Sequence, residues 1–220
     1  MLRTLLTALR GLVWGRPNVA RPSEQLAVLT HAMTDDATVR SLTSMTPSEG
    51  RPAMNAAYEK LIQHLDEREV RYLTNGESRS ICADFRCEVG TYRIIAAVDT
   101  ESDLFQVIGY SPVRVPEGAR SAVAETIARA NYGLKVGKFE MDVDSGELRF
   151  QAAQILTEDC LDETVIDRLM GTTMSMLDMY LPAVLSVIYG NELPQDAIRC
   201  AEAGRRQGGE AEGNERGADA

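Results

Sequence analysis

Phe139-Glu140-Met141-Asp142-Val143-Asp144-Ser145-Gly146-Glu147-Leu148-Arg149-Phe150 alternates apolar and charged residues on both sides of a Ser-Gly turn. Successive side chains of a strand point to opposite faces, so Phe139, Met141 and Val143 share one face while Glu140, Asp142 and Asp144 share the other. A two-residue Ser145-Gly146 loop pairs Val143 with Leu148, Met141 with Phe150, and Asp142 with Arg149. One face is then oily and the other charged, the pattern of an antiparallel sheet with one solvated side.

The same periodicity extends upstream. Ile81, Ala83, Phe85, Cys87 and Val89 alternate with Cys82, Asp84, Arg86 and Glu88, which predicts a half-buried strand. A two-residue Gly90-Thr91 loop sets Val89 opposite Tyr92, Glu88 opposite Arg93, and Phe85 opposite Ala96. Leu104 to Tyr110 is apolar on both faces, so cover on both sides is expected. Between these strands and the quoted hairpin, Pro116 suits a first helical position, and Ala119, Val123, Ile127 and Ala130 form one apolar stripe. Gly133 reads as the terminator of that helix.

The ends of the compact region are helical. From Pro52, the residues Ala57, Leu61, His64, Leu65 and Arg68 follow helical spacing, and Asn75-Gly76 marks a turn. Asp162 to Tyr189 forms a long helix with Val165, Leu169, Met176, Tyr180 and Val184 on one side. Pro182 is expected to bend or split it. Gly190 ends it, and Pro194 opens a short last helix. The predicted order is α-β-β-β-α-β-β-α, an α+β fold with helices packed on an antiparallel sheet. Phe139, Met141, Phe150, Ile94 and Val165 are expected in one core.

Composition sets the boundaries. Residues 1–50 form an N-terminal extension, partly disordered and broken by Pro17, Pro22 and Pro47. Residues 51–203 form the domain. Residues 204–220 lack large apolar side chains and are expected to be disordered. Leu2, Leu5, Leu6, Leu9, Leu12, Val13 and Trp14, with Arg3, Arg10 and Arg16, fit a short amphipathic helix that touches a membrane surface or a partner. The plainer readings are a frayed extension, or a start at Met45 or Met54. Arg10 interrupts the apolar run and no Ala-x-Ala follows, so export is not expected. No uninterrupted apolar run is long enough to cross a membrane.

The chemistry is sparse. A net charge of −10 argues against binding nucleic acid. Cys82, Cys87, Cys160 and Cys200 form no CxxC, and Cys82 and Cys87 read as facing opposite sides of one strand. Reduced thiols in a cytoplasmic protein are expected. Gly133-Leu-Lys-Val-Gly137-Lys-Phe139 lacks one residue of a phosphate loop, has Phe139 in place of Ser or Thr, and enters a strand. Glu140, Asp142 and Asp144 read as a solvated strand face, because Ala153 stands where a calcium loop needs its closing glutamate. Gly109-Tyr-Ser111-Pro lacks the second glycine of a nucleophile elbow. His64, beside Asp66 and Glu67, reads as a surface or boundary residue. No catalytic residue, metal ligand or cofactor site is assigned.

An ordered set of short motifs resembles the YbjN family. The set is Val115-Pro116-Glu117, Asn131-Tyr132-Gly133-Leu134, Gly137-Lys138-Phe139-Glu140-Met141-Asp142, Gly146-Glu147-Leu148-Arg149-Phe150, Asp178-Met-Tyr180-Leu-Pro182-Ala, and Gly190 with Pro194-Gln-Asp-Ala197. The resemblance spans roughly residues 55–200. It implies a bacterial sensory-transduction regulator with a fold like that of type III secretion chaperones, small acidic α+β proteins that bind extended client segments. It implies no catalytic residues. The expectation is a non-catalytic regulatory or chaperone-like binding module with a protein partner and a homodimeric state. The alternatives are a peripheral membrane adaptor acting through the N-terminus, and an enzyme with a cryptic site. An open strand edge is the expected place for an extended client peptide.

Overall fold

A computed structural model describes residues 52–99, 101–157 and 161–203. The N-terminal extension, Cys160 and the tail lie outside the described residues. Helix α1 spans Pro52–Glu67 and is followed by strands β1 (Leu73–Asn75), β2 (Ser80–Arg86), β3 (Thr91–Asp99) and β4 (Leu104–Tyr110). A 3₁₀ turn at Glu117–Ala119 leads into α2 (Arg120–Gly133). Then come β5 (Lys138–Met141), β6 (Leu148–Ile155) and α3 (Glu163–Tyr189). A last helix, α4, covers residues 194–203. The strands form one six-stranded antiparallel sheet in the order β1-β2-β3-β4-β6-β5. The fold is therefore α+β, with β3 and β4 at the centre of the sheet.

One strand more than expected is present. Three-residue β1 pairs with β2, and the side chain of Asn75 accepts the amides of Glu77 and Ser78 to hold the turn between them. A strand so short leaves no periodicity to read.

Both hairpin registers differ from the expected ones. Phe85 faces Tyr92 and Asp84 faces Arg93, because the first loop has four residues closed by a bond from the Cys87 amide to the Gly90 carbonyl. Cys87 thus lies beyond the strand and not on it. The loop is held from a distance: the Asp178 carboxylate on α3 accepts the Glu88 amide at 3.1 Å, the Val89 amide at 2.9 Å and the Tyr92 hydroxyl at 2.8 Å. In the second hairpin, Met141 faces Leu148, Glu140 faces Arg149, and Phe139 faces Phe150. Here Asp142 leaves the strand and folds its carboxylate onto the Asp144 amide and the Ser145 hydroxyl. Val143, expected on the oily face, is consequently 61% exposed. Gly146 has φ +73°, and a Cβ there would lie 2.1 Å from the Val115 carbonyl oxygen. Only glycine lets this loop pass so close to that segment.

The core lies on one side of the sheet. Ile81, Ile94, Val107, Phe150 and Phe139 belong to one cluster with Leu61 and Leu65 of α1, Val123 of α2 and Leu177 of α3. Met141 and Val165 pack against it, partly buried. Phe139 makes edge-on contacts with Phe150 and Tyr180, at centroid distances of 4.9 and 5.5 Å. All five residues expected to share a core do so.

Helix α3 crosses the sheet at Gly109. A Cβ at Gly109 would lie 2.5 Å from Leu177 Cδ1 and 2.7 Å from Thr173 Cγ2. The helix starts at Asp162, whose carboxylate accepts the Val165 amide, and it runs unbroken through Pro182 to Tyr189. Proline therefore does not split it. By length and composition α3 is apolar enough to span a membrane, but in this fold its apolar side is buried against the sheet. Helix α2 ends at Gly133, as expected, but without the left-handed backbone of a glycine cap. Gly137, at φ +75°, makes the sharp turn instead, against the ring of Phe150.

Replacing Gly109 by Ala is expected to cost about 1–3 kcal/mol in urea unfolding, the usual range for overpacking. Gly133→Ala, whose added methyl meets nothing within 4 Å, is expected to be neutral or slightly stabilising, as alanine is in a helix.

Candidate protein-binding surface

The two faces of the sheet are unequal. The side chains that alternate with the core residues form rows across the strands. One row runs Leu73, Cys82, Ile95, Ile108, Gln151 and Lys138. The next runs Asn75, Ser80, Ala97, Gln106 and Ala153, and a third runs Asp99, Leu104 and Ile155. Cys82, Ile95, Ala97, Leu104 and Ile108 do not belong to the cluster that packs under the helices. Among the described residues no helix covers this second face. Ile108 and Ala97 are nevertheless buried on this face, at 5% and 6% exposure, so β4 is covered on both sides at Ile108 although no described helix supplies the second cover. Ile155 is 67% exposed and Leu73 is 42% exposed.

A row of charges bounds this apolar band. Arg93 Nε donates to Asp84 at 3.1 Å, and Arg149 Nε donates to Glu140 at 2.9 Å. Lys138 pairs with the same Glu140 at 2.7 Å. Burial disfavours the charged form of Glu140, but hydrogen bonds from Lys138 and Arg149 outweigh it, so its carboxyl titrates below the ordinary value. Of the three acids read as one solvated strand face, only Glu140 lies on a strand. Asp142 and Asp144 are in the loop and do not converge with it. No group of His, Cys, Asp and Glu among the described residues could hold a metal.

The sheet edges are less open than expected. At β5, the Phe139 amide donates to Asn131 Oδ1 at 2.7 Å, and Asn131 Nδ2 donates to the Phe139 carbonyl at 3.0 Å. One side-chain amide thus occupies the donor and acceptor that an added strand would use. At the other edge, β1 has three residues. Neither edge offers a long template for an extended peptide.

His64 is buried, at 3% exposure, and is not a surface residue. Its Nε2 lies 2.9 Å from Asp167 Oδ1 and 3.0 Å from Arg68 Nε, and Arg68 also pairs with Asp167. The network ties α1 to α3. Its chemistry is that of a buried polar clasp. The partner that buries His64 comes from a helix 103 residues away, so the local sequence carries no sign of it. Ser111 makes a local turn, with its hydroxyl donating to the Val113 carbonyl.

Residues 57–186, more than half of the chain, match the YbjN family, described as "Putative bacterial sensory transduction regulator". The chain belongs to the YbjN family. Among solved structures it is similar to YbjN from E. coli, with 12% identity and a TM-score of 0.42 over 56% of this chain and 86% of that one. It is also similar to a chain of the HopA1–SchA chaperone–effector complex, with 14% identity and a TM-score of 0.38 over 56% and 91% of the two chains. No curated protein matches. Within the YbjN match lie the helix-free face, the Asp178 clasp and the Asn131 edge cap.

Two outcomes check the site. Burial pushes the Cys87 thiol up to about 11, with the Asp178 carboxylate adding to it, and burial also raises the Cys82 thiol, whereas Cys200 is exposed. With Cys160 replaced by Ser, iodoacetamide near neutral pH is expected to label Cys200 first, and Cys82 and Cys87 only on unfolding; mass spectrometry of peptides reads this order. Because folding lowers the Glu140 pKa, its stabilising contribution is present above the ordinary value of 4.5 and is lost as pH falls through the folded value. The stability gap between the protein and its Glu140→Gln variant is therefore expected near neutral pH and to close in acid, as followed by urea unfolding.

Proposed function

We propose that this chain is a non-catalytic regulatory module that works by binding another protein through the helix-free face of its sheet. The observation that carries the reading is the pair of exposed apolar side chains Leu73 and Ile155 on the sheet face that no described helix covers, beside the ion-paired row, with Ile108 and Ala97 buried further in. An apolar band rimmed by polar groups is the usual make-up of a protein-binding patch. Membership of a family of sensory-transduction regulators supports a regulatory role. The groups that could do chemistry support binding over catalysis: the thiols Cys82 and Cys87 are pushed towards their unreactive form, and His64 is engaged in a clasp between helices. The excess of acidic over basic residues would favour a basic partner and speed its encounter, an effect that salt weakens. A cytoplasmic setting fits the free thiols.

The test is co-purification from the native cell with the protein and with two charge insertions, Ile155→Asp and Leu73→Asp. Both positions are exposed enough to leave thermal unfolding unchanged. The expected outcome is one or more partners lost with both variants and retained by a control such as Glu117→Gln. Light scattering of the purified chain shows whether a second copy is that partner. Unaltered co-purification by both variants would move the binding surface elsewhere.

A further inference from the structure

The helical layer carries a second surface, between α2 and α4. On α2, Glu125, Ala128, Arg129 and Tyr132 recur at the spacing of one helix face, and with Gln195, Ile198 and Glu202 of α4 they border an open groove of about 600 Å³. The floor is apolar: Ile198 is buried and belongs to the core cluster, and Ala128 adds little bulk beside it. The rim is polar. Its most unusual member is Tyr132, which is 96% exposed although its neighbour Asn131 is pinned to β5. The backbone under the ring is thus fixed while the ring itself is uncovered, and such a ring is a platform for a flat or cationic group.

The charges of the groove do not cancel. Arg129 pairs with Glu125 at 2.7 Å. Glu202 accepts a 3.3 Å bond from the neutral Tyr180 hydroxyl, so among the lining residues its carboxylate is in excess. The ring and this carboxylate stand on the two walls of one groove, and the contacts Asn131–Phe139–Tyr180–Glu202 tie those walls together beneath it. A complementary occupant is therefore cationic at this point and apolar over Ile198. Arginine fits better than lysine, because a planar guanidinium can lie on a ring face and still donate to a carboxylate. A groove between two helices, with an apolar floor and a polar rim, has the build of a site for an amphipathic segment.

We propose that the α2–α4 groove is an arginine-reading site for a segment of another protein. The arginine's guanidinium lies between the ring of Tyr132 and the carboxylate of Glu202, and an apolar side chain of the same segment rests on Ile198. The surface is separate from the helix-free face of the sheet, and the inference does not depend on that reading. The two together give the module two sides from which to hold partners, one apolar and one selective for charge.

The probe is a blocked, alanine-based helical peptide that carries a leucine and an arginine one helical turn apart, with twins in which lysine, citrulline or glutamate replaces the arginine. Amide shifts of the isotope-labelled full chain follow each titration, and thermal unfolding first establishes that every variant is folded. The arginine peptide is expected to shift amides of residues 125–133 and 195–202. It should bind about two- to fivefold more tightly than the neutral citrulline twin, the scale of one exposed cation–π contact, with lysine in between. Tyr132→Leu and Glu202→Gln should each remove most of that preference, whereas Tyr132→Trp should keep it, because indole is the stronger cation–π partner. Glu202→Lys should turn the preference towards the glutamate twin, and high salt should weaken both. Equal binding of the arginine and citrulline peptides would overturn the proposal. So would shifts confined to the face of Leu73 and Ile155, or no shifts at about 5 mM peptide, several times a millimolar Kd. A dimer that Tyr132→Leu dissolves, seen by sedimentation, would assign the groove to a second copy and overturn it too.

Discussion

Helix α3 lies against the sheet because β4 has no side chain at Gly109. Leu177 and Thr173 fill the space that a Cβ would need, and this close approach sets the distance between the two layers. The rest follows from it. Asp178, the next residue after Leu177, comes within reach of the β2–β3 loop and takes two of its amides and the Tyr92 hydroxyl. Asp167, further back on the same helix, meets His64 and Arg68 and fixes α1. Tyr180, further on, stacks edge-on with Phe139 and positions β5. One helix thus gathers a hairpin, a helix and an edge strand that are far apart in sequence.

The architecture was legible in the alternation of side chains. Strand β4 has the bounds read from its composition, and α1 and α3 begin and end within a residue or two of the positions their stripes and caps suggest. The register errors are instructive. The partner of Phe85 moves from Ala96 to Tyr92, and the partner of Met141 moves from Phe150 to Leu148. Both shifts are even, so every side chain keeps its face. Periodicity dictates the face; loop length dictates the register. The loop lengths here depend on contacts invisible locally, Asp178 for one loop and Val115 against Gly146 for the other. The burial of His64 was unreadable for the same reason.

The candidate surface was only half legible. Alternation in β2 and β4 showed that the second face carries Cys82, Leu104 and Ile108, but it could not say that the helices all choose the other side. That choice comes from the strand order. Because β6 inserts between β4 and β5, the chain between β4 and β5 must travel past a whole strand, and α2 makes that journey on the side where α3 already lies. The described helices gather in one layer, and on the opposite layer only the outer apolar residues Leu73 and Ile155 stay exposed, while Ile108 and Ala97 are buried.

Asn131 has a consequence beyond the placement of β5. A six-stranded antiparallel sheet ends in two rows of unpaired backbone groups, and each is an invitation to the same sheet in another molecule. At one end the sheet has shrunk to three residues; at the other, a single carboxamide imitates the strand that would come next. The amide repeats the backbone's own chemistry, one donor and one acceptor side by side, but carries no chain onward. It works as a terminator in the polymer sense: growth by strand addition stops at Phe139, so the sheet is kept from joining its own copies edge to edge into a fibre.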